Sequence, residues 1–498
     1  MPDNKLITLL IQDKLHFKKL REILPVLPEG YDFEFLVDDM FARAKMPEGD
    51  IGDYRFIMLS RFGSEAVLDG ISETTLLQDF NYFLARFIDN PFLKPLKKPY
   101  RVVYAAFIKF MQKHLPLLFI FLSESKKYMQ AHFWEVGEQA VHTYVSAKRP
   151  AILILAEANV QFSTEAFIKI FHSYGIKSVI TPYTFCKPDE PANYYMDNPL
   201  FQARWYHRRK LPNKWFHTYR GHDLVRMPYL MATMCEERGY SPPQPWVLES
   251  STADAIQVES AAMKRHYVSQ NIPDSQIKVV GDVTHDLIAY TLHNRASERA
   301  RYEREHGVTI GSKKVILFAV FPDLFNYNAE AKDDFDSYDE ALTRLVDTMS
   351  GCNDWITILS IHPRYDASIY KKYERGNVKI LKWMTAEAIG ICDLYIASIS
   401  ATIRWAIAAG VPVINYDLYK LDYADYCDVP AVLTAHTWPE FRTIFEKATT
   451  DEGYLRTLQQ SQRASAPDWG ALDGQFKARF QQLLLGYIQN EEERKEAA

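Results

Sequence analysis

Short runs of β-branched and aliphatic residues alternate along this chain with segments of helical periodicity, the rhythm of parallel sheets built from strand–helix–strand units. Residues 7–11 read as a first strand, 14–27 as its helix and 33–37 as a second strand. Residues 54–59 form a further strand, and 74–87 a helix that leads into a long, less regular insertion. Regularity returns with a strand at 151–155, a helix at 164–174 that Ser163 is placed to cap, and a strand at 178–182. A proline-rich stretch, Ser241-Pro242-Pro243-Gln244-Pro245, precedes a strand at 255–258 that reads as lying near a domain junction. Beyond it, strands at 277–280, 315–321, 356–361, 378–381, 394–397 and 413–415 alternate with helices at 339–349, 385–391 and 402–409. This is the rhythm of a second doubly wound sheet. From residue 438 to about 490 the pattern is helical, broken near Pro467.

The expected fold is therefore α/β, with two Rossmann-like domains facing a cleft, an N-terminal insertion and a helical C-terminal tail. Residues 1–250 would form the first domain and 251–450 the second, with 451–498 packing back across the junction. The chain has 498 residues, too many for one ordinary core, and its 47% apolar and 24% charged content is that of a folded globular protein. A net charge of −5 argues against nucleic acid as a partner. Five cysteines without a C-x-x-C pair signal neither a disulfide framework nor zinc, and suit a reducing cytoplasm. No secretory leader is expected at the start, where only five apolar residues precede Asp13. The most apolar later segment, 102–122, is interrupted by Lys109, Lys113 and His114, so the expectation is a soluble or at most peripheral membrane protein.

In a doubly wound sheet, ligands meet the C-terminal ends of the strands. The strand at 356–361 ends in His362-Pro363-Arg364, where an imidazole can donate to a phosphate or a glycosidic oxygen. The strand at 394–397 runs into Ser398-Ile399-Ser400-Ala401-Thr402 and at once into a helix, which brings hydroxyls, backbone N–H groups and the positive helix end to one place. Helix capping by Ser400 or Thr402 is the competing reading.

This order, strand and His-Pro, then Asp-Leu-x-Ile-x-Ser-x-Ser, a helix and Ala-Gly-x-Pro-Val-Ile, resembles the C-terminal domain of GT-B glycosyltransferases. It is most similar to the group of bacterial sialyltransferases, Kdo transferases and teichoic-acid glycerophosphate polymerases. Upstream, Ile277-Lys278-Val279-Val280-Gly281-Asp282-Val283 is similar to a strand exit of the same superfamily and of the UDP-N-acetylglucosamine 2-epimerases, and Phe318-Ala319-Val320-Phe321-Pro322 resembles the first strand of the donor domain. The resemblance covers about residues 250–430.

It implies that His362, with Pro363 and Arg364, and the serines Ser398 and Ser400, with Thr402, contact the donor phosphate. Gly281, Asp282 and Pro322 would complete the donor site, and no metal or other cofactor would be required. The group's acidic doublet followed by glycine is missing here. Its nearest match by context is Ala156-Glu157-Ala158-Asn159, which makes Glu157 a candidate base. General-base work needs a carboxylate or imidazole in reach of the acceptor hydroxyl, so Asp13, in Gln12-Asp13-Lys14-Leu15-His16, and His222-Asp223 remain open as well.

The acidic run Asp333-Asp334-Phe335-Asp336, with Asp339 and Glu340, lacks the glycine of a calcium loop and reads as a solvated loop. Two segments are basic and aromatic. One spans 90–123 and carries Lys94, Lys97, Lys98, Arg101, Lys109 and Lys113. The other carries Arg208, Arg209 and Lys210 with Trp215, a mixture suited to a glycolipid acceptor or an anionic membrane surface at the inner face of the membrane.

The function these features point to is transfer of a sugar, of the CMP-activated acidic kind such as Kdo or a nonulosonate, from a nucleotide donor to a surface glycan or glycolipid. Two alternatives compete: a non-hydrolysing UDP-N-acetylglucosamine 2-epimerase-like isomerase, and a non-catalytic sugar- or nucleotide-binding subunit of a glycan assembly complex. The epimerase reading demands several acidic residues and an arginine converging on the sugar.

Overall fold

The computed structural model describes residues 5–47, 54–63, 110–111, 113–183, 186–325, 333–362, 365–398, 400–422 and 425–496. The expected helix at 74–87, most of the basic segment 90–123, Pro363 and Arg364 lie outside the described residues. The chain divides into two units. The first holds the residues up to Gln257, then Val268–Lys278 and those from Gln481 on; the second holds Val258–Tyr267 and Val279–Phe480.

The first unit is built on β1 (Leu6–Ile11), β2 (Asp32–Val37), β3 (Phe56–Met58), β4 (Ile152–Leu155) and β5 (Lys177–Ile180). A two-stranded antiparallel hairpin follows, β6 (Phe216–Tyr219) and β7 (His222–Val225), before β8 (Ala255–Val258) and β9 (Ile277–Val279). The main sheet runs β3-β2-β1-β4-β5-β8-β9, and its strands from β3 to β8 pair in parallel. Strands β1 and β4 are buried almost throughout, as a sheet covered on both faces requires.

The insertion is more regular than expected. The crossover into β4 carries a 33-residue helix, Pro116–Lys148. Gly137 lets this helix lie close against Phe41, because a Cβ there would stand 2.5 Å from the phenyl ring. The helix after β1 is shorter than its apolar pattern: Lys14–Ile23 gives way to a 3₁₀ turn at Leu24–Val26, where Pro25 cannot donate the next helical bond.

The second unit carries β10 (Lys314–Ala319), β11 (Trp355–Ser360), β12 (Val378–Ile380), β13 (Leu394–Ala397), β14 (Val413–Tyr416) and β15 (Val432–Ala435). All five pairings are parallel in the order β12-β11-β10-β13-β14-β15, a doubly wound sheet. The core includes Phe318, Leu345, Trp355, Ile396 and Phe441. Two parallel sheets, each covered by helices, make this a pair of Rossmann-like units. The helix Glu452–Trp469 runs through Pro467 and ends at Gly470, and a last helix spans Phe476–Glu496. Among the described residues, no helix is long and apolar enough to cross a membrane. Among the described residues no two cysteines are joined in a disulfide.

Candidate functional site

In both sheets the strand order reverses beside the first strand, and Glu157 in the first unit and Ser398 in the second follow a strand at that reversal. In the first unit the reversal falls between β1 and β4. Gln12, immediately after β1, ties three strand exits together. Its Nε2 donates to Asp38 Oδ2 after β2 and to the Phe162 carbonyl after β4, both at 2.8 Å, and its Oε1 accepts from Thr164 Oγ1 at 2.7 Å. Four residues on, one helical turn returns His16 to the same place, where the Gln12 backbone N–H donates to Nδ1 at 3.3 Å. That bond leaves the ring proton on Nε2. Nε2 has no hydrogen-bond partner, and the nearest acceptor is Glu157 Oε2 at 3.8 Å.

His16 is 1% and Glu157 3% exposed. The other oxygen of Glu157 accepts from Asn159 Nδ2 at 2.6 Å. A second carboxyl, Glu249, is fully buried beside this pair: its Oε2 accepts the Ala158 N–H at 2.6 Å, and its Oε1 has no partner. Burial, and then the charge of Glu157, hold the Glu249 carboxyl well above the usual range. Asp38 is buried too and is pushed up to about 7 by desolvation, against the hydrogen bonds it accepts from Gln12, Phe41 and Ala42. Two buried carboxyls side by side, one of them held well above the usual range and the other faced by an imidazole, form an arrangement that can take a proton from one group and give it to another. The neighbouring Cys186 thiol is pushed up by burial, which leaves it a poor nucleophile.

The other candidates in this unit stand elsewhere. Asp13 caps the helix Lys14–Ile23 by accepting the Leu15 N–H at 2.9 Å. Asp223 is exposed on the β6–β7 hairpin, and hydrogen bonds from Thr218 and Arg208 hold its carboxyl below the ordinary range, the wrong direction for a base. His222 is exposed on the same hairpin. Arg208, Arg209 and Lys210 are exposed on the helix Trp205–Lys210, but Trp215 corrects the sequence expectation. It is fully buried among Trp134, Leu211, Val225 and Met227, with its indole N–H on Glu236, so its ring is core and not surface. Ser163 stands at the start of the helix Thr164–Ser173, yet it offers no side-chain cap; its backbone takes the left-handed conformation at φ 55°.

In the second unit the reversal falls between β10 and β13. Ser398 follows β13 directly, is 8% exposed, and its Oγ has no partner. Ser400 and Thr402 satisfy one another at 2.7 Å, and Thr402 also bonds the Tyr395 hydroxyl, so these two close the turn. His362, exposed after β11, sets its ring edge-on to Tyr365 at 5.9 Å. Pro322 follows β10, and its carbonyl accepts from the Tyr419 hydroxyl. Gly281 takes φ +97°, which favours glycine, and Asp282 caps the helix Val283–His293 through the Thr284 N–H at 2.8 Å. Arg404, on the helix after the Ser398 turn, is buried with its Nε 2.8 Å from Glu259 Oε1.

The acidic run of this unit is dispersed over protein partners: Asp333 on Lys420, Asp334 on Tyr416 and Trp438, Asp339 on Lys372 and Tyr373. Among the described residues, Asp417, Asp422 and His436 bring one ligand atom each within 4.8 Å of one another and could hold a cation. Both Asp417 oxygens, however, already accept backbone N–H groups of Leu421 and Asp422.

Sequence reasoning reached Glu157 but passed over His16, Asp38 and Glu249. His16 had a signal, one helical turn after a strand exit. Glu249, in a loop after the proline-rich stretch, had none.

No family model matches the sequence, and no curated protein matches it. Several solved structures align with most of the chain at low identity. A wall teichoic acid polymerase, TagF, carrying H548A, aligns over 98% of this chain and 90% of its own at 9% identity, with a TM-score of 0.49. The calicheamicin glycosyltransferase CalG4 aligns over 98% and 99% at 10% identity with a TM-score of 0.44. A UDP-N-acetylglucosamine 2-epimerase aligns over 98% and 97% at 10% identity, also at 0.44. The fold assignment itself rests on the two strand orders.

Proposed function

We propose that this protein is a glycosyltransferase that moves a sugar from a nucleotide-activated donor to a hydroxyl of a surface glycan or glycolipid, without a required metal. The observation that carries the reading is the buried His16–Glu157 pair at the strand-order reversal of the first unit, with an oxygen and a ring nitrogen facing each other at 3.8 Å. Glu157 accepts the proton of the acceptor hydroxyl as that oxygen bonds to the anomeric carbon and the carbon–oxygen bond to the donor phosphate breaks. His16 Nε2–H orients Glu157. In the second unit Ser398, with its uncommitted hydroxyl, and His362 are the residues that bind a nucleotide phosphate. The donor class favoured by the His-Pro and serine pattern is a CMP-activated acidic sugar, with CDP- and UDP-linked donors next.

Thermal shift of the full chain against CMP, CDP, UDP and UMP tests the reading. Occupancy at a hundredfold over Kd adds about 2.7 kcal/mol of stability. Absence of a shift with all four sinks it, and an equal shift in His362→Ala removes His362 from the donor site.

The split carboxyl pair Glu157–Glu249 also favours a second reading, a sugar 2-epimerase, because moving a proton off and onto carbon needs such a pair. Incubation with UDP-N-acetylglucosamine in deuterated water separates the two. Deuterium at sugar C2 supports the isomerase, and its absence alongside nucleotide release supports the transferase.

A further inference from the structure

A second group in the first unit is buried without the partners its chemistry calls for. Arg226 follows β7, and its side chain is 4% exposed. Its backbone N–H donates to the Trp215 carbonyl at 3.0 Å, which anchors the residue to the core. The guanidinium carbon lies 5.5 Å from the Tyr195 ring centroid and 5.8 Å from that of Trp246. Both rings are fixed, Tyr195 by stacking on Phe201 at 4.0 Å and Trp246 by its indole N–H on the Trp215 carbonyl at 2.8 Å.

Of the guanidinium's five N–H donors, one reaches the Tyr195 hydroxyl, from Nη1 at 3.1 Å, and Nε has no partner. Among the described residues Arg226 forms no ion pair with a carboxylate. A buried cation in that state is costly, and two ring faces offset only part of the cost. Two parallel oxygens of a carboxylate or phosphate match the remaining fork. The group is tied to the loop that carries the candidate base: the Tyr195 hydroxyl that takes its Nη1 also accepts from Gln161 Nε2, in the segment that follows Glu157. The Glu249 and Glu157 oxygens that are bonded accept from Ala158 N–H and Asn159 Nδ2 and not from Arg226.

We propose that Arg226, between Tyr195 and Trp246, is an anion subsite that takes a carboxylate or phosphate group of the substrate bound at the His16–Glu157 pair. The link to that substrate rests on the proposed function; the anion binding does not.

The test is a calorimetric titration of the full chain at fixed ionic strength with inorganic phosphate, with glucuronate and with neutral glucose. Saturable binding of phosphate or glucuronate is expected, with none for glucose, and the stronger of the two anions names the source. Arg226→Gln should weaken that binding at least tenfold and Arg226→Lys by less, while Arg442→Gln, exposed on the helix Trp438–Thr450, leaves it unchanged. No saturable anion binding to the wild type overturns the proposal, and so does binding that persists in Arg226→Gln. Should Arg226→Gln not fold, undiminished affinity in Arg226→Lys overturns it, since lysine keeps the charge and loses the fork. Nucleotide-induced thermal shifts, read separately, report whether the transferase reading fails on its own.

Discussion

The two sheets solve the same problem at their strand-order reversals in opposite ways. In the first unit the reversal carries ionisable groups that are almost wholly buried and only partly satisfied: His16 Nε2 there and Glu249 Oε1 beside it lack partners. In the second, neighbouring hydroxyls bond one another, and Ser398 Oγ is the uncommitted atom of its turn. Burying an unsatisfied polar group typically costs about 1–3 kcal/mol, so the first unit gives up stability at ionisable groups where the second gives it up at one hydroxyl. Unsatisfied ionisable groups concentrate where a protein does chemistry, whereas a single open hydroxyl in a turn suits binding an anion.

Removing the charge at the crowded site should have the largest effect. Glu157→Gln should lower transfer to the acceptor about 10²–10⁴-fold at unchanged nucleotide affinity, measured as kcat against the nucleotide thermal shift. An equal loss from Asp13→Asn, which only weakens a helix cap, would erase the distinction between the two residues.

Next comes pH. The Asp38 carboxyl holds its proton to about 7 in the folded chain, against 3.8 for the free group, so between those values the unfolded chain has released a proton that the folded chain retains. Folding stability therefore falls as pH rises across that window, by on the order of 4 kcal/mol from this residue, and levels off above it. Urea unfolding of Asp38→Asn between pH 4 and 8 should show that slope removed; an unchanged slope places its origin elsewhere.

A packing change in the second unit should be smaller and independent of chemistry. A Cβ on Gly390, in the helix Thr385–Ile391, would stand 1.9 Å from Thr291 Oγ1 and 3.1 Å from the Leu292 backbone nitrogen. Gly390→Ala should cost about 1–3 kcal/mol by chemical denaturation.

The smallest and sharpest contrast is within one turn. Ser400→Ala should lose about 1 kcal/mol of stability, with little change in nucleotide shift, whereas Ser398→Ala should leave stability within about 0.5 kcal/mol and weaken the shift. A reversed pattern would make Ser400 the ligand and Ser398 the structural residue.

Much of this architecture was legible in the chain because strands buried on both faces read as unbroken apolar runs, as at Ile152–Leu155 and Leu394–Ala397. The hairpin β6–β7 was missed because its polar, half-exposed residues, such as His217, Thr218 and Asp223, carry no apolar alternation. Strand β15 was missed for being four residues long with a threonine in it. Glu157 could be named because it ends a strand. Glu249 and Arg226 could not, since burial made by distant segments, and not their own neighbours in sequence, gives them their properties. Trp215 misled for the same reason: basic neighbours suggested surface, and tertiary packing placed it in the core.

The pairing of β1 with β4 has a consequence for how the protein is made. Leu9 pairs beside Ile154, and the intervening chain must be synthesised before that ladder can form. At ribosomal speeds of about 5–20 residues per second, the first strand waits on the order of ten seconds for its neighbour. The wait for completion is longer still, because Gln481 donates to the Leu27 carbonyl at 3.0 Å and Tyr487 to that of Asp254 at 3.2 Å. The first unit to begin emerging is thus the last to be finished, and the second folds as a guest within its unfinished host.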